Sequence, residues 1–278
     1  RGAAFASEEM LRPAPSSLLN VPIGPRRTLV RYRAPLEALL EVKAGAKATL
    51  NDVCLATVTG ALREFSLSRG DEPVPLKAMV PVSVRAEAER ADLGNRISFA
   101  FVDLPVDIES AERRVAWITA ATTAFKRAER PAGTETVMNL VGLLPGPLRG
   151  PAARLAAAGR TYNLTVSNVP GPRFPVYLLG AELLEAYPVV PVPENHALSI
   201  GIFTYRDTVF FGVYADPVAL PDAGDLAPAL DTSLRELVTT FAPSREHAEP
   251  RPQPSPRPRP PRRQPRPHAG ASTARRRA

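Results

Sequence analysis

Apolar and polar positions along the chain change spacing several times, and each change marks an element. Thr28–Ala34 (TLVRYRA) alternates, with Leu29, Arg31 and Arg33 on one side and Val30 and Tyr32 on the other, as in a strand. Leu36–Ala48 is helical in composition, with Leu36, Leu39, Leu40 and Val42 as its apolar side. Thr49 is placed to cap a second helix, and Asp52 three residues on completes a capping-box pattern at the positive helix end. That helix buries Val53, Leu55, Val58, Leu62 and Phe65 at helical spacing and stops at Arg69-Gly70. Leu76–Arg85 and Arg96–Val106 read as strands, separated by a charged segment closing on Leu93-Gly94-Asn95. Ser110–Arg130 reads as a helix with Val115, Trp117, Ile118 and Phe125 inward. Thr136–Ala158 reads as two short helices split by Leu144-Pro145-Gly146-Pro147.

The stretch Thr161–Pro175 (TYNLTVSNVPGPRFP) alternates again. Asn163, Thr165 and Ser167 point one way, and Leu164, Val166 and Val169 mostly the other. Pro170-Gly171-Pro172 ends the ladder, because two donors are missing and the glycine frees φ. Such a strand can place small hydrogen-bonding groups at a cleft, or can be an ordinary strand ending in an ordinary turn. Leu183–Val190, Ala197–Tyr205 and Thr208–Ala215 are three further strands, the last two forming a hairpin about Arg206-Asp207. Asp225–Phe241 is a final amphipathic helix. Strands with helices between and after them, without an internal repeat, indicate mixed α/β layers rather than a bundle or a sandwich.

Composition divides the chain into three. Residues 1–24, with Pro13, Pro15 and Pro22, read as a linker or covering segment, and residues 25–242 as the folded domain. Residues 243–278 change abruptly to Pro, Arg, Ala and Gln, a composition expected to stay disordered. The tail carries ten arginines and two glutamates, so of the net +7 it holds +8 and the remaining 242 residues hold −1. The basic character therefore belongs to the tail, which removes the case for a nucleic-acid-binding fold. Tail adhesion to phosphates or anionic lipid stands against a solvated appendage or a weakly selected terminus. The lone cysteine, Cys54, excludes an internal disulfide framework and a cysteine zinc site and suits a reducing cytoplasm. No apolar run approaches the ~18–20 residues of a membrane span, and no signal peptide is visible. With Arg1 at its start, the sequence is expected to be processed or a fragment.

Candidate chemistry is sparse. There is no G-x-S-x-G elbow, Gly-rich phosphate loop or H-E-x-x-H. Of three histidines, His247 and His268 lie in the tail, and His196 reads as a partly exposed loop residue near Glu194. A Ser199–His196 pair is too local to form a triad. Asn51-Asp52 at a helix start and the row Asn163, Ser167, Asn168 remain. Capping accounts for the first, and turn or cross-strand hydrogen bonding for the second. Neither supplies a nucleophile or a base poised near neutral pH.

The order of segments then becomes informative. TLNDVCLATVTGALREF is followed by MVPVSVR, LGNRISFAFVDLPV, YNLTVSNVPGP and ALSIGIFTYRDTVFFGVYAD. Over roughly residues 15–241 this resembles the C-terminal part of the bacterial wax ester synthase/diacylglycerol acyltransferase family. The resemblance implies a CoA-dependent acyltransferase-like (chloramphenicol acetyltransferase-like) α/β fold, a mixed sheet with flanking helices, as one of two similar halves enclosing a channel. It also implies transfer of a fatty acyl group from acyl-CoA, a co-substrate rather than a cofactor, to diacylglycerol or a long-chain alcohol. The family's base is a histidine of an HHxxxDG motif in the N-terminal half, and this sequence contains no paired histidines. No catalytic residue is therefore carried over.

What the resemblance does carry over is Asn51 and Asp52 as the N-D pair, and Ser167, Asn168, Pro170, Gly171 and Pro172 of the SNVPGP turn, as framing an acyl channel with Asn163 in support. Arg85 and Asn95 match less distinctive positions. The implied partners are acyl-CoA, the acceptor alcohol and the absent N-terminal half; the alternative is a non-catalytic lipid- or acyl-CoA-binding module. Val137–Leu144 with Arg149, Arg154 and Arg160 could lie at a membrane or lipid-inclusion surface, or pack against the sheet or the missing half.

Overall fold

What each strand meets on its two faces decides which of these readings hold. The computed structural model describes residues 12–83, 97–128 and 161–242. The expected helices within Thr136–Ala158, the 86–95 segment, Arg85, Asn95 and the tail lie outside the described residues, as does the 136–160 surface.

Strand β1 (Thr28–Pro35) alternates as its sequence does: Val30, Tyr32 and Ala34 turn inward while Leu29, Arg31 and Arg33 are exposed. Helix α1 (Leu36–Ala46) buries Leu36, Ala38, Leu39 and Val42 and ends at Lys47 in the left-handed region. Leu40, expected in its apolar side, is exposed, and Ala38 takes the inward position. Helix α2 (Leu50–Ser68) carries the predicted capping box and stops before Gly70, whose φ is +75°. It is buried along most of its length, because α1, α3 (Ala111–Ala128), α4 (Leu226–Phe241) and the sheet all pack on it. In α3 the inward stripe is Ala111, Val115, Ile118 and Thr122. Trp117 falls about 100° around the helix from Ile118 and is exposed, against expectation.

The remaining strands are β2 (Leu76–Ser83), β3 (Ile97–Leu104), β4 (Leu164–Pro170), β5 (Tyr177–Leu178), β6 (Ala181–Glu182), β7 (Leu198–Tyr205) and β8 (Thr208–Ala215). Five of them join β1 in one mixed sheet in the order β1-β8-β7-β4-β2-β3, and β5 and β6 form a separate hairpin. β4 is parallel to both neighbours, β7 and β2; the other pairings are antiparallel.

Leu183–Val190 is not a strand. It crosses the sheet face opposite the helices, where Pro188 sits over Gly201 and Gly212, which are register partners on β7 and β8. A Cβ at Gly212 would lie 2.0 Å from the Pro188 carbonyl oxygen, so the notch exists only because both side chains are absent. Tyr187 meets Phe210 edge-on, Ser199 Oγ donates to the Val190 carbonyl at 2.6 Å, and Arg31 lies over the Tyr187 ring. The outward arginines of β1 thus clamp this segment, Arg33 through an ion pair to Glu185. With proline at 188 and 191 the segment lacks donors for a ladder, and it packs flat instead.

Candidate functional site

Residues 12–24 are a covering segment fastened to the sheet by polar contacts. The buried Asn163 amide accepts from the Lys77 backbone N–H at 2.7 Å and donates to the carbonyl of Pro15 and to Asn20 Oδ1. Asn20 donates in turn to the Tyr162 carbonyl at 3.0 Å, and the buried Lys77 ammonium donates to the Arg12 carbonyl. At the other end Asp216 accepts from the backbone N–H groups of Gly24, Val218 and Ala219. Burial alone would raise its pKa, but these three donors and Arg27 together hold the carboxyl below its ordinary range.

The N-D pair and the SNVPGP turn meet directly. Asp52 is fully buried; Oδ2 accepts the Thr49 N–H at 2.9 Å and Oδ1 accepts the Thr122 hydroxyl of α3 at 2.8 Å. Held this way, the first turn of α2 presents Asn51, whose Oδ1 accepts from Asn168 Nδ2 at 3.2 Å. Strand period places Asn168 on the face shared with Leu164 and Val166, toward the helices, and Ser167 on the opposite face. The row Asn163, Ser167, Asn168 is therefore not one cluster: Asn163 belongs to the covering segment, Asn168 to α2, and Ser167 to the outer face. Val169, expected on the side of Leu164, follows Ser167 and is half exposed.

Beside Asn168 the sheet parts. β2 and β4 pair only at Ala78–Leu164 and Met79–Thr165, after which β2 follows β3 and β4 follows β7. From Val166 on, one edge of β4 is left without a strand neighbour among the described residues, and the N-terminal turn of α2 stands next to it. The turn also differs from expectation. Pro170 still pairs with Thr204, the Gly171 N–H donates to the Thr204 carbonyl at 2.8 Å, and Pro172 accepts from Arg206. Gly171 does not adopt a positive φ; it is required because a Cβ would fall 2.4 Å from the Thr204 carbonyl and 2.5 Å from the Phe203 ring.

Neither candidate for activated chemistry reaches this place. Cys54 is wholly buried in α2, and burial, with a smaller push from Asp52, raises its thiol to about 12. His196 is buried rather than partly exposed. Its ring stacks on Tyr162 at 4.2 Å, with Nδ1 2.9 Å from the Glu194 carbonyl and Nε2 3.2 Å from the Tyr162 carbonyl. Burial lowers its basicity, and the two carbonyls oppose that. It precedes β7, at the opposite end of the parallel β4–β7 pair from Asn168. A surface depression of about 490 Å³ between Ala46, Thr119 and Phe241 is lined by none of the predicted site residues.

Residues 93–238, which include β4 and the SNVPGP turn, match the model of the WS/DGAT C-terminal domain. The chain belongs to that family. "Probable diacyglycerol O-acyltransferase tgs1" of Mycobacterium tuberculosis H37Rv is 32% identical over 242 residues, covering 86% of this chain and 52% of that protein. The tgs2 protein of the same strain, named likewise, is 30% identical over 240 residues, covering 84% and 53%. The chain thus spans about half the length of the curated relatives it matches.

Among solved structures, the wax ester synthase/diacylglycerol acyltransferase from Marinobacter aquaeolei VT8 superposes with a TM-score of 0.68 at 27% identity, over 87% of this chain and 57% of that one. A condensation domain from the enacyloxin polyketide synthase superposes at 0.57 with 16% identity, over 90% and 48%, which shows the shared fold. The expected acyltransferase-like mixed sheet with flanking helices is the one observed.

Thr122 and the Gly201–Gly212 notch escaped the sequence reading. Thr122 carries no local signal, since its partner lies 70 residues away. The glycines did carry one: they are symmetric about the predicted Arg206-Asp207 turn and so had to face each other.

Proposed function

We propose that this chain is the C-terminal half of an acyl-CoA-dependent O-acyltransferase that moves a fatty acyl group to diacylglycerol or a long-chain alcohol. The observation that carries the reading is the Asn51–Asn168 hydrogen bond, which joins two family motifs beside the parting of β2 and β4. In this reading the two amides brace one wall of the acyl channel, and Asp52, locked by Thr49 and Thr122, sets where Asn51 stands.

Acyl transfer needs a base to take the hydroxyl proton as the alcohol oxygen attacks the thioester carbonyl. His196, the one histidine among the described residues, faces two carbonyl oxygens and is buried away from Asn168. The base therefore belongs to a preceding half with the HHxxxDG motif. Where the acceptor is a neutral lipid, the assembled enzyme works at a membrane or lipid-inclusion surface by peripheral contact. No helix among the described residues is long and apolar enough to cross a membrane.

The test is acyl transfer from a long-chain acyl-CoA to diacylglycerol by the purified 278-residue chain, alone and co-expressed with the part of tgs1 that it does not span. The expected result is no transfer alone and transfer in the pair. A stable monomer that binds acyl-CoA, and yields no activity in the pair, would favour a non-catalytic acyl-CoA-binding module.

A further inference from the structure

The depression of about 490 Å³ lies along α3, walled by Ala46 at the end of α1 and by Phe241 at the end of α4. From α3 itself it is lined by Glu112, Ala116, Thr119, Thr123 and Arg127, which recur every three or four residues and so form one stripe. Between its charged ends the stripe carries only small side chains, which lets a second helix approach closely. Ala116, Ala120 and Ala124 on this side are exposed. Arg113 and Trp117 fall about 100° around the helix from Glu112 and Ala116 and do not line the groove.

Two features say what covers this groove. The first is its charge: Glu112 closes one end and Arg127 the other, both exposed, and the point between Thr119 and Ala120 lies midway between them. A two-fold axis at that point sets Glu112 against Arg127 of a second copy at both ends, and Ala116 against Thr123, so the surface is complementary to itself. A parallel copy would set like charges together, and an anionic lipid surface would repel Glu112. The second feature is Thr119, whose hydroxyl oxygen is buried without a hydrogen-bond partner among the described residues. Such an atom is costly. Beside the axis it is placed to exchange a hydrogen bond with its own counterpart.

We propose that α3 is the contact of a homodimer, in which two copies pack antiparallel and each α3 seats in the other's groove. The inner side of the same helix carries Thr122, the partner of Asp52, so the contact steadies the helix that locks the N-D pair. One helix seam is a small interface, and a weak dimer with a dissociation constant on the order of 10 µM is expected.

Sedimentation velocity of the 278-residue chain over a range of concentrations tests this. Glu112→Arg and Arg127→Glu each create like-charge pairs at both ends, and each is expected to weaken association at least about tenfold. The double variant Glu112→Arg/Arg127→Glu should return to within about threefold of wild type. Ala120→Glu should leave a monomer with an unchanged circular dichroism spectrum. Ala120→Cys should form a linked dimer on mild oxidation, since the native Cys54 is buried, while Val218→Cys, exposed on the loop after β8, should not.

A wild type that stays monomeric throughout overturns the proposal. So does a double variant as weak as the single ones, association untouched by Ala120→Glu, or equal linking through residues 120 and 218. Flotation of a monomeric chain with vesicles of phosphatidylcholine and phosphatidylglycerol, lost in Ala120→Glu, would make the groove a lipid contact and would also overturn it.

Discussion

Asn168 donates its side-chain amide to Asn51 across 3.2 Å, linking the end of a central strand to the first turn of a buried helix. The bond is between neutral groups and part-buried, so its value for stability is modest; its consequence is geometric. It fixes the distance between helix α2 and the strand edge that β2 leaves free.

Asn51→Ala and Asn168→Ala are each expected to destabilise the chain by about 1 kcal/mol. Because each removes the same bond, a double-mutant cycle should show coupling of roughly 0.5–1 kcal/mol. Urea unfolding of the two single variants and the double variant measures it, and strict additivity would remove the bond from the account.

Asp52→Asn places an amide N–H where a buried carboxylate oxygen accepts, opposite either the Thr49 N–H or the Thr122 hydroxyl. A loss of about 2 kcal/mol is expected, and Thr122→Val should cost less, about 1 kcal/mol. The reverse order in chemical denaturation would mean that the capping box matters less than the bond to α3.

The glycine notch predicts an unequal pair. At Gly212 an added Cβ meets the backbone carbonyl of Pro188 at 2.0 Å, whereas at Gly201 it meets the proline ring at 2.9 Å. Gly212→Ala is expected to cost more than about 2 kcal/mol and Gly201→Ala less. Thermal melts give the order, and protease cleavage within 183–190 should rise in Gly212→Ala first.

His196 makes stability depend on pH in a defined direction. Burial holds its basicity below the ordinary value of 6.5, against the pull of the Glu194 and Tyr162 carbonyls. Below 6.5 the unfolded chain binds a proton that the folded chain does not, so stability is full above 6.5 and falls as pH drops through that window. Asp216 adds a second loss at lower pH, because its depressed carboxyl stabilises the fold above its ordinary value of 3.8 and ceases to as it protonates. His196→Gln should flatten urea midpoints between pH 7 and 5; a slope unchanged from wild type would contradict this.

Much of this fold was legible because its strands and helices keep their periods: the alternation of Thr28–Ala34, the Thr49–Asp52 box and the hairpin about Arg206-Asp207 all stand where local pattern puts them. The failures share a cause, which is that the pattern does not say what covers a face. Leu183–Val190 has strand composition but lies flat over two glycines, and Trp117 and Leu40 are apolar residues left outward. His196 reads as a loop residue until residues 12–24 and the Tyr162 ring are seen to enclose its neighbourhood. The candidate site was half legible. The sequence order named Asn51 and Asn168 separately; only the parallel β4–β7 register and the capped helix bring them together.

The most direct measurement is the acyl-transfer rate of the 278-residue chain with and without the co-expressed tgs1 region that it does not span. The account predicts no turnover above background by the chain alone and turnover in the pair that falls in Asn51→Ala and Asn168→Ala. Robust transfer by the purified chain alone would contradict it.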